Sequence, residues 1–214
     1  KHKIFYFSEP VEIHSLTNKK IIKKKLKFKS SDFIILVYGA IKNSKSVTDL
    51  VAILNNKTLR KNIKVLLCGQ QTIEIKNLLK NKVCLNLKKQ KKIIVINKFL
   101  NLKEESEVFS ASDLIWIVYK NSSMGSSGIL FLAKKAKTPI ITTKFGLPYW
   151  FNRKYNLGPS IDLKKRKNTI KILNNLSSKK KFYNSYKKNI SKLGKKNYVK
   201  EFYLMILKNL ELDK

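Results

Sequence analysis

Short apolar runs alternate along this chain with longer stretches in which apolar residues recur every three or four positions. The runs at 33–38, 63–68, 93–96, 114–118 and 139–142 are rich in Ile, Val and Leu at consecutive positions, as in strands buried on both faces. Between them, 47–54, 72–79, 103–110 and 127–136 carry helical periodicity. This repeating strand-helix order predicts an α/β domain over 31–176, a Rossmann-like parallel sheet with helices on both faces. Residues 1–30 read as a linker leading into it, with a lysine-rich stretch at 19–29 suited to a short basic helix. Residues 177–214 read as packed C-terminal helices, because 179–193 and 197–210 keep apolar residues at helical spacing.

A chain of 214 residues supports one sizeable core but not two full α/β domains. Its longest apolar runs fall far short of the roughly 20 residues that cross a bilayer, and no signal peptide is visible, so a cytoplasmic protein is expected. Cys68 and Cys84 are the only cysteines, and His2 and His14 the only histidines. Two thiols do not make a disulfide framework or a four-ligand zinc site, so both read as core or near-surface thiols in a reducing compartment, and no metal is expected. A Ser-His-Asp or Cys-His site would need an imidazole from the N-terminal segment. Between Asp113 and Glu201 the sole acidic residue is Asp162, which argues against paired-carboxylate catalysis within that stretch.

The formal net charge of +34 suggests a polyanionic partner, either nucleic acid or an anionic membrane surface. Lysine is spread over nearly every segment, however, and Arg60, Arg153 and Arg166 are the only arginines. Nucleic-acid readers favour arginine forks, and no zinc finger, basic zipper or aromatic-basic sheet signature is present. We therefore read the charge mainly as drift toward AT-rich codons. Nucleic acid is not an expected partner, while peripheral contact with an anionic membrane stays open.

Ligands of open parallel sheets bind beyond the C-terminal ends of strands, so the turns there hold the candidate chemistry. Gly39 follows the first strand, Gly69 the second, Gly125 and Gly128 the fourth, and Gly146 the fifth. The segment Gly125, Ser126, Ser127, Gly128 precedes an apolar helical run, where free backbone N–H groups and the positive end of the dipole favour a phosphate. On spacing alone, an ordinary serine N-cap accounts for it better. Lys45, in the turn after the first strand, is placed to meet a phosphate as a point charge, although in so lysine-rich a chain a solvated surface residue is the simpler reading.

Taken in order, these pieces resemble the C-terminal, donor-binding domain of GT-B glycosyltransferases of the retaining group 1, or family 4, type. Glu9, Pro10 and Val11 are similar to the family's interdomain linker, and Tyr38, Gly39, Ile41 and Lys45 to its first strand and glycine-to-lysine loop. Leu66 to Gly69 resembles the second strand, and Ala111, Asp113 and Tyr119 the approach to the donor site. Gly125 to Thr143, with Gly128, Ala133, Thr138, Pro139 and Ile141, looks like the donor loop, helix and following strand. Gly146, Leu147, Trp150, Tyr155, Leu157 and Gly158 resemble the family's next glycine-leucine turn and helix. The resemblance covers residues 8 to 176.

The resemblance implies retaining transfer of a sugar from a nucleoside-diphosphate sugar, with no metal and no other cofactor, and electrostatic stabilisation of the leaving diphosphate. It implies a diphosphate site at Gly39, Lys45, Gly125, Ser126, Ser127 and Gly128, further lined by Gly69, Tyr119 and Met124; no catalytic residue is assigned. An acceptor-binding α/β half of roughly 150 to 200 residues is expected upstream of Lys1, without which transfer would be weak. The family's pair of donor-loop glutamates falls on Met124 and Leu132, and its arginine after the first glycine on Ala40. That departure supports a second reading, a noncatalytic relative acting as a binding module. A basic nucleic-acid or membrane-surface binder is a third.

Overall fold

In the computed structural model, residues 16–120, 127–193, 200, 203–204 and 206–208 are described. The chain runs α1 (Lys19–Lys25), β1 (Phe33–Tyr38), a 3-10 turn (Asn43–Lys45), α2 (Val47–Leu54), β2 (Ile63–Cys68), α3 (Ile73–Leu78), α4 (Lys82–Lys89) and β3 (Ile93–Ile96). It continues with α5 (Leu102–Ala111), β4 (Leu114–Ile117), α6 (Gly128–Lys135), β5 (Ile140–Thr143), α7 (Gly146–Tyr155), β6 (Ser160–Ile161), α8 (Arg166–Ser178) and α9 (Lys180–Leu193). All six strands are parallel, in the order β3-β2-β1-β4-β5-β6. This is the Rossmann-like α/β sheet that the alternation predicts.

Strand β1 shows why its consecutive apolar residues are needed. Alternate side chains leave opposite faces of a strand. Phe33, Ile35 and Val37 enter a core shared with Ile63, Val65, Leu67, Leu114 and Trp116, covered by α2, α3, α4 and α8. Ile34 and Leu36 enter a second core with Leu66, Cys68, Ile115 and Ile117, covered by α1, α5, α6 and α7. Helix α9 serves both faces. Its Tyr183 and Tyr186 pack on the first core, the Tyr183 ring edge-on to Phe33 at 5.8 Å, while Ile190 is buried in the second.

Local chemistry sets the helix boundaries. Asn101 accepts from the Glu104 N–H at 2.9 Å and Glu104 accepts from the Asn101 N–H at 3.1 Å, a reciprocal cap that starts α5. Asn81 starts α4 by accepting from the Cys84 N–H at 2.8 Å. At α7, Asn156 ends the helix in the left-handed region with φ of 49°. Helix α1 is held by Asp113, whose carboxylate receives Lys19 at 2.7 Å, Lys23 at 2.9 Å and the Ile34 N–H at 2.9 Å.

Two elements lie beyond the pattern read from sequence. Helix α4 buries only Cys84 and Leu87, too few apolar positions to stand out in a lysine-rich stretch. Strand β6 has two residues, below any detectable alternation, yet it pairs Ser160 and Ile161 with Thr142 and Thr143.

Candidate functional site at the switch point of the sheet

The strand order reverses between β1 and β4. From β1 the chain moves outward through β2 and β3, then returns to the other side of β1 and moves outward through β4, β5 and β6. Helix α2, after β1, covers one face of the sheet, and α6, after β4, covers the other. The loops leaving β1 and β4 therefore diverge and open a crevice at the carboxyl ends of the strands.

Gly39 forms the floor of that crevice. Its φ is +85°, and a Cβ added there would stand 3.4 Å from the Lys45 Nζ and 3.9 Å from the Ile129 Cδ1. The loop after β1 and the first turn of α6 thus lie on the same edge of the sheet, close enough to flank one ligand. Gly69 permits this packing: its φ is +130°, and a Cβ would fall 1.9 Å from the Gly39 carbonyl oxygen. Gly69 supports the crevice floor from beneath.

Lys45 is not the solvated lysine that composition suggests. It is 8% exposed, its ammonium donates to the Tyr38 carbonyl, and among the described residues no carboxylate pairs with it. Burial, with a smaller push from Lys42, lowers its pKa to about 8. A buried cation without a counter-charge is an incomplete electrostatic unit, and an anion would complete it. Two contacts from the far side of the crevice hold its loop: the Trp116 indole N–H donates to the Lys45 carbonyl at 3.0 Å, and the Lys120 N–H donates to the Ser44 carbonyl at 2.9 Å. The Lys120 Nζ also reaches the Asn43 Oδ1 at 2.8 Å, which keeps a second ammonium at the rim.

Helix heads point into the same place. Ser127 occupies the N-cap position of α6, but its hydroxyl makes no capping bond; it meets the Tyr119 hydroxyl at 2.9 Å. Burial raises the Tyr119 pKa, so the phenol stays protonated at neutral pH. At the head of α2, Ser46 sits in the left-handed region with φ of 52°; its buried hydroxyl has no hydrogen-bond partner among the described residues, and α2 also lacks a side-chain cap. In α6 the Leu130 N–H donates to the Ser127 carbonyl at 2.8 Å, while Gly128 and Ile129 have no such bond among the described residues, so two first-turn N–H groups face the crevice. Of the residues expected here, Met124, Gly125 and Ser126 lie outside the described residues. Gly39, Gly69, Lys45, Tyr119, Ser127 and Gly128 are brought to one edge.

Beside the switch point, a cavity of about 460 Å³ opens over the ends of β4, β5 and β6, with Tyr119, Lys120, Thr143, Lys144, Asp162 and Lys164 among its lining. Asn152 positions this wall. Its amide donates to the Ser160 Oγ at 3.0 Å and the Thr142 Oγ1 at 3.2 Å, and its oxygen accepts from the Leu157 N–H at 3.1 Å. A buried asparagine satisfied at both ends fixes α7 against β5 and β6.

No protein-family profile and no curated protein matches the sequence. Solved structures do match. WaaG, a glycosyltransferase involved in lipopolysaccharide biosynthesis, superposes with a TM-score of 0.66 at 17% identity, over 84% of this chain and 48% of its own. The C-terminal domain of LpcC, a group 1 glycosyltransferase from Francisella tularensis, gives a TM-score of 0.62 at 21% identity, over 82% of this chain and 90% of its own. HepE from Anabaena, solved in complex with UDP and glucose, gives 0.68 at 12% identity, over 90% of this chain and 51% of its own.

The fold is that of a GT-B C-terminal domain.

The chain spans about half the length of WaaG and HepE. Sequence reading named the residues that glycine and turn chemistry mark, and did not name those that only packing brings beside them. Trp116 and Lys120 act through contacts 71 and 77 residues away along the chain, which no local spacing reveals. Thr143, Lys144 and Lys164 line the cavity because β5 and the short β6 end beside one another. Position after a strand was their only sequence signal. Leu132 of α6, where a carboxylate was expected from the resemblance, is a half-buried apolar residue packed on the second core. No helix among the described residues is long and apolar enough to cross a membrane.

Proposed function

We propose that this chain is the donor-binding half of a glycosyltransferase that transfers a sugar from a nucleoside-diphosphate sugar with retention of configuration. The observation that carries the reading is Lys45: a buried ammonium with no carboxylate partner among the described residues, set against Gly39 and opposite the head of α6. A diphosphate at that point gains the Lys45 charge, the N–H groups and positive ends of α2 and α6, and the Ser127 hydroxyl. These groups also stabilise the charge that develops as a nucleoside diphosphate leaves, which is the electrostatic part of transfer. An upstream acceptor-binding domain would supply the acceptor and close the crevice. HepE was solved with UDP and with UDP-glucose, which supports a nucleotide sugar as the ligand class.

Leu132 favours a second reading. An apolar side chain on α6 offers no acceptor for a ribose or sugar hydroxyl, as expected of a relative that binds a nucleoside diphosphate without turning it over. Calorimetric titration at moderate salt separates these. A donor domain binds UDP, ADP or GDP saturably, loses affinity on Lys45→Met, and binds the matching sugar nucleotide more tightly than the diphosphate. A noncatalytic module shows no gain from the sugar. Weak binding that is indifferent to Lys45→Met and collapses with salt would remove the donor site altogether.

A further inference from the structure

A second concavity lies at the opposite edge of the sheet, beyond the amino ends of β1, β2 and β3. It measures about 760 Å³, within the usual range for small-molecule sites. Three separate segments send lysines to it: the end of α1 and the turn after it provide Lys24, Lys27 and Lys29, the approach to β2 and its second residue provide Lys61 and Lys64, and the turn before β3 provides Lys91. One carboxylate shares the lining, that of Asp32, and it is occupied by accepting from the Lys29 N–H at 2.8 Å. None of the six lysines forms an ion pair among the described residues; the lysines that do are Lys19, Lys23, Lys25 and Lys98. Six lysines and one aspartate thus line the concavity, an excess of five positive charges with no ion pair to the lysines among the described residues.

Compositional drift accounts for many lysines over the surface. It does not by itself place six on the lining of one depression, where their like charges favour a bound anion. The depression matters for the class of ligand, because a flat bilayer or an extended duplex meets a concave site only at its rim, whereas a compact anion can enter it. We infer that this concavity binds a compact anion bearing several phosphate groups, at a site separate from the switch-point crevice and at the far ends of the same strands. Lysine suits such a ligand, since each ammonium acts as a point charge with three donors and does not require the planar geometry of an arginine fork.

The test uses the full 214-residue chain and inorganic tripolyphosphate, with orthophosphate and a single-stranded oligonucleotide as comparisons. A site variant carries Lys24→Gln, Lys61→Gln and Lys91→Gln; a control carries Lys167→Gln, Lys171→Gln and Lys180→Gln, all exposed and on α8 and α9. Both lose the same formal charge. The expected result is saturable tripolyphosphate binding at moderate salt, much tighter than orthophosphate, not displaced by UDP, and weakened about tenfold or more in the site variant but less than about threefold in the control. Thermal unfolding of the unmodified chain should shift upward with tripolyphosphate, and less so in the site variant. Equal loss in both variants would reduce the effect to bulk charge and overturn the inference. So would displacement by UDP, which would place the anion in the donor crevice. Binding of the oligonucleotide but not of tripolyphosphate, lost in the site variant, would overturn it in favour of an extended nucleic-acid surface.

Discussion

The Trp116 indole N–H donates to the main-chain carbonyl of Lys45 at 3.0 Å, tying the strand on one side of the switch point to the basic loop on the other. Both groups are buried, so the bond forms away from competing water. Trp116→Phe should cost about 1–3 kcal/mol, for one unsatisfied buried carbonyl and some lost volume. It should also weaken UDP binding several-fold, since the Lys45 loop loses an anchor. Urea denaturation and calorimetry read the two effects separately. A stability loss with unaltered UDP affinity would show that this bond does not position Lys45.

Lys45 predicts a pH dependence with a defined sign. Its pKa falls from 10.5 in the unfolded chain to about 8 in the folded one, chiefly through burial. Between those values the unfolded state holds a proton that the native state has released, so stability rises with pH across the window, by on the order of 3 kcal/mol in full. The buried Cys68 thiol acts oppositely from about pH 9 and the half-buried Tyr38 and Tyr183 phenols above pH 10, all pushed up by desolvation. The Lys45 contribution is therefore read between pH 8 and 10 as the difference between the parent chain and Lys45→Met. Lys45→Met should abolish that portion of the rise in chemical denaturation. UDP affinity should move the other way and weaken as pH climbs through about 8, because the anion needs the charged amine.

Gly69→Ala should be among the most damaging single-methyl additions in the domain. The new Cβ would meet the Gly39 carbonyl oxygen at 1.9 Å, a backbone atom that has no rotamer with which to yield, at a φ of +130° that side chains rarely adopt. We expect a loss of more than about 2 kcal/mol in urea midpoint analysis, together with impaired UDP binding, because Gly39 must move. A variant as stable as the parent would mean that the two loops are not in contact.

Asp113→Asn tests the anchoring of α1. The carboxylate holds Lys19 and Lys23, and Lys23 is 4% exposed. Neutralising one acid leaves a buried cation half-satisfied, at a cost of about 3 kcal/mol. Hydrogen exchange should accelerate in Lys19–Lys25 before the sheet opens. Uniform acceleration throughout the domain would instead make α1 part of a single cooperative unit.

Tyr119→Phe removes the hydroxyl that meets Ser127 at 2.9 Å and should leave global stability within about 1 kcal/mol. UDP affinity should drop a few-fold, since the Ser127 hydroxyl loses the partner that orients it. Unchanged affinity would separate Ser127 from the anion.

Much of the architecture was legible along the chain. Five of the six strands announce themselves as runs dominated by apolar residues, interrupted by Lys64 in β2 and ending in Thr142 and Thr143 in β5. The reason is that a parallel sheet covered on both faces buries side chains on either side, as β1 shows by feeding Ile34 and Ile35 to opposite cores. Gly39 and Gly128 were legible for a related reason: the turn after a strand is where glycine and a helix head must occur together. The burial of Lys45 was not legible. In a sequence with 47 lysines and arginines, one more cation carries no signal until its neighbours are known.

The sequence by itself therefore determined the alternation of elements, the covering of both sheet faces and the glycine-bearing turns, since each depends on residues a few positions apart. Tertiary structure alone decided that Trp116 and Lys120 hold the Lys45 loop, that Lys45 lacks a counter-charge among the described residues, and that Lys24, Lys61 and Lys91 face one depression. Those facts depend on strand order. Strand order brings residues distant in the chain to one edge of the sheet, and burial then strips a charge of the water that would otherwise make its position unimportant.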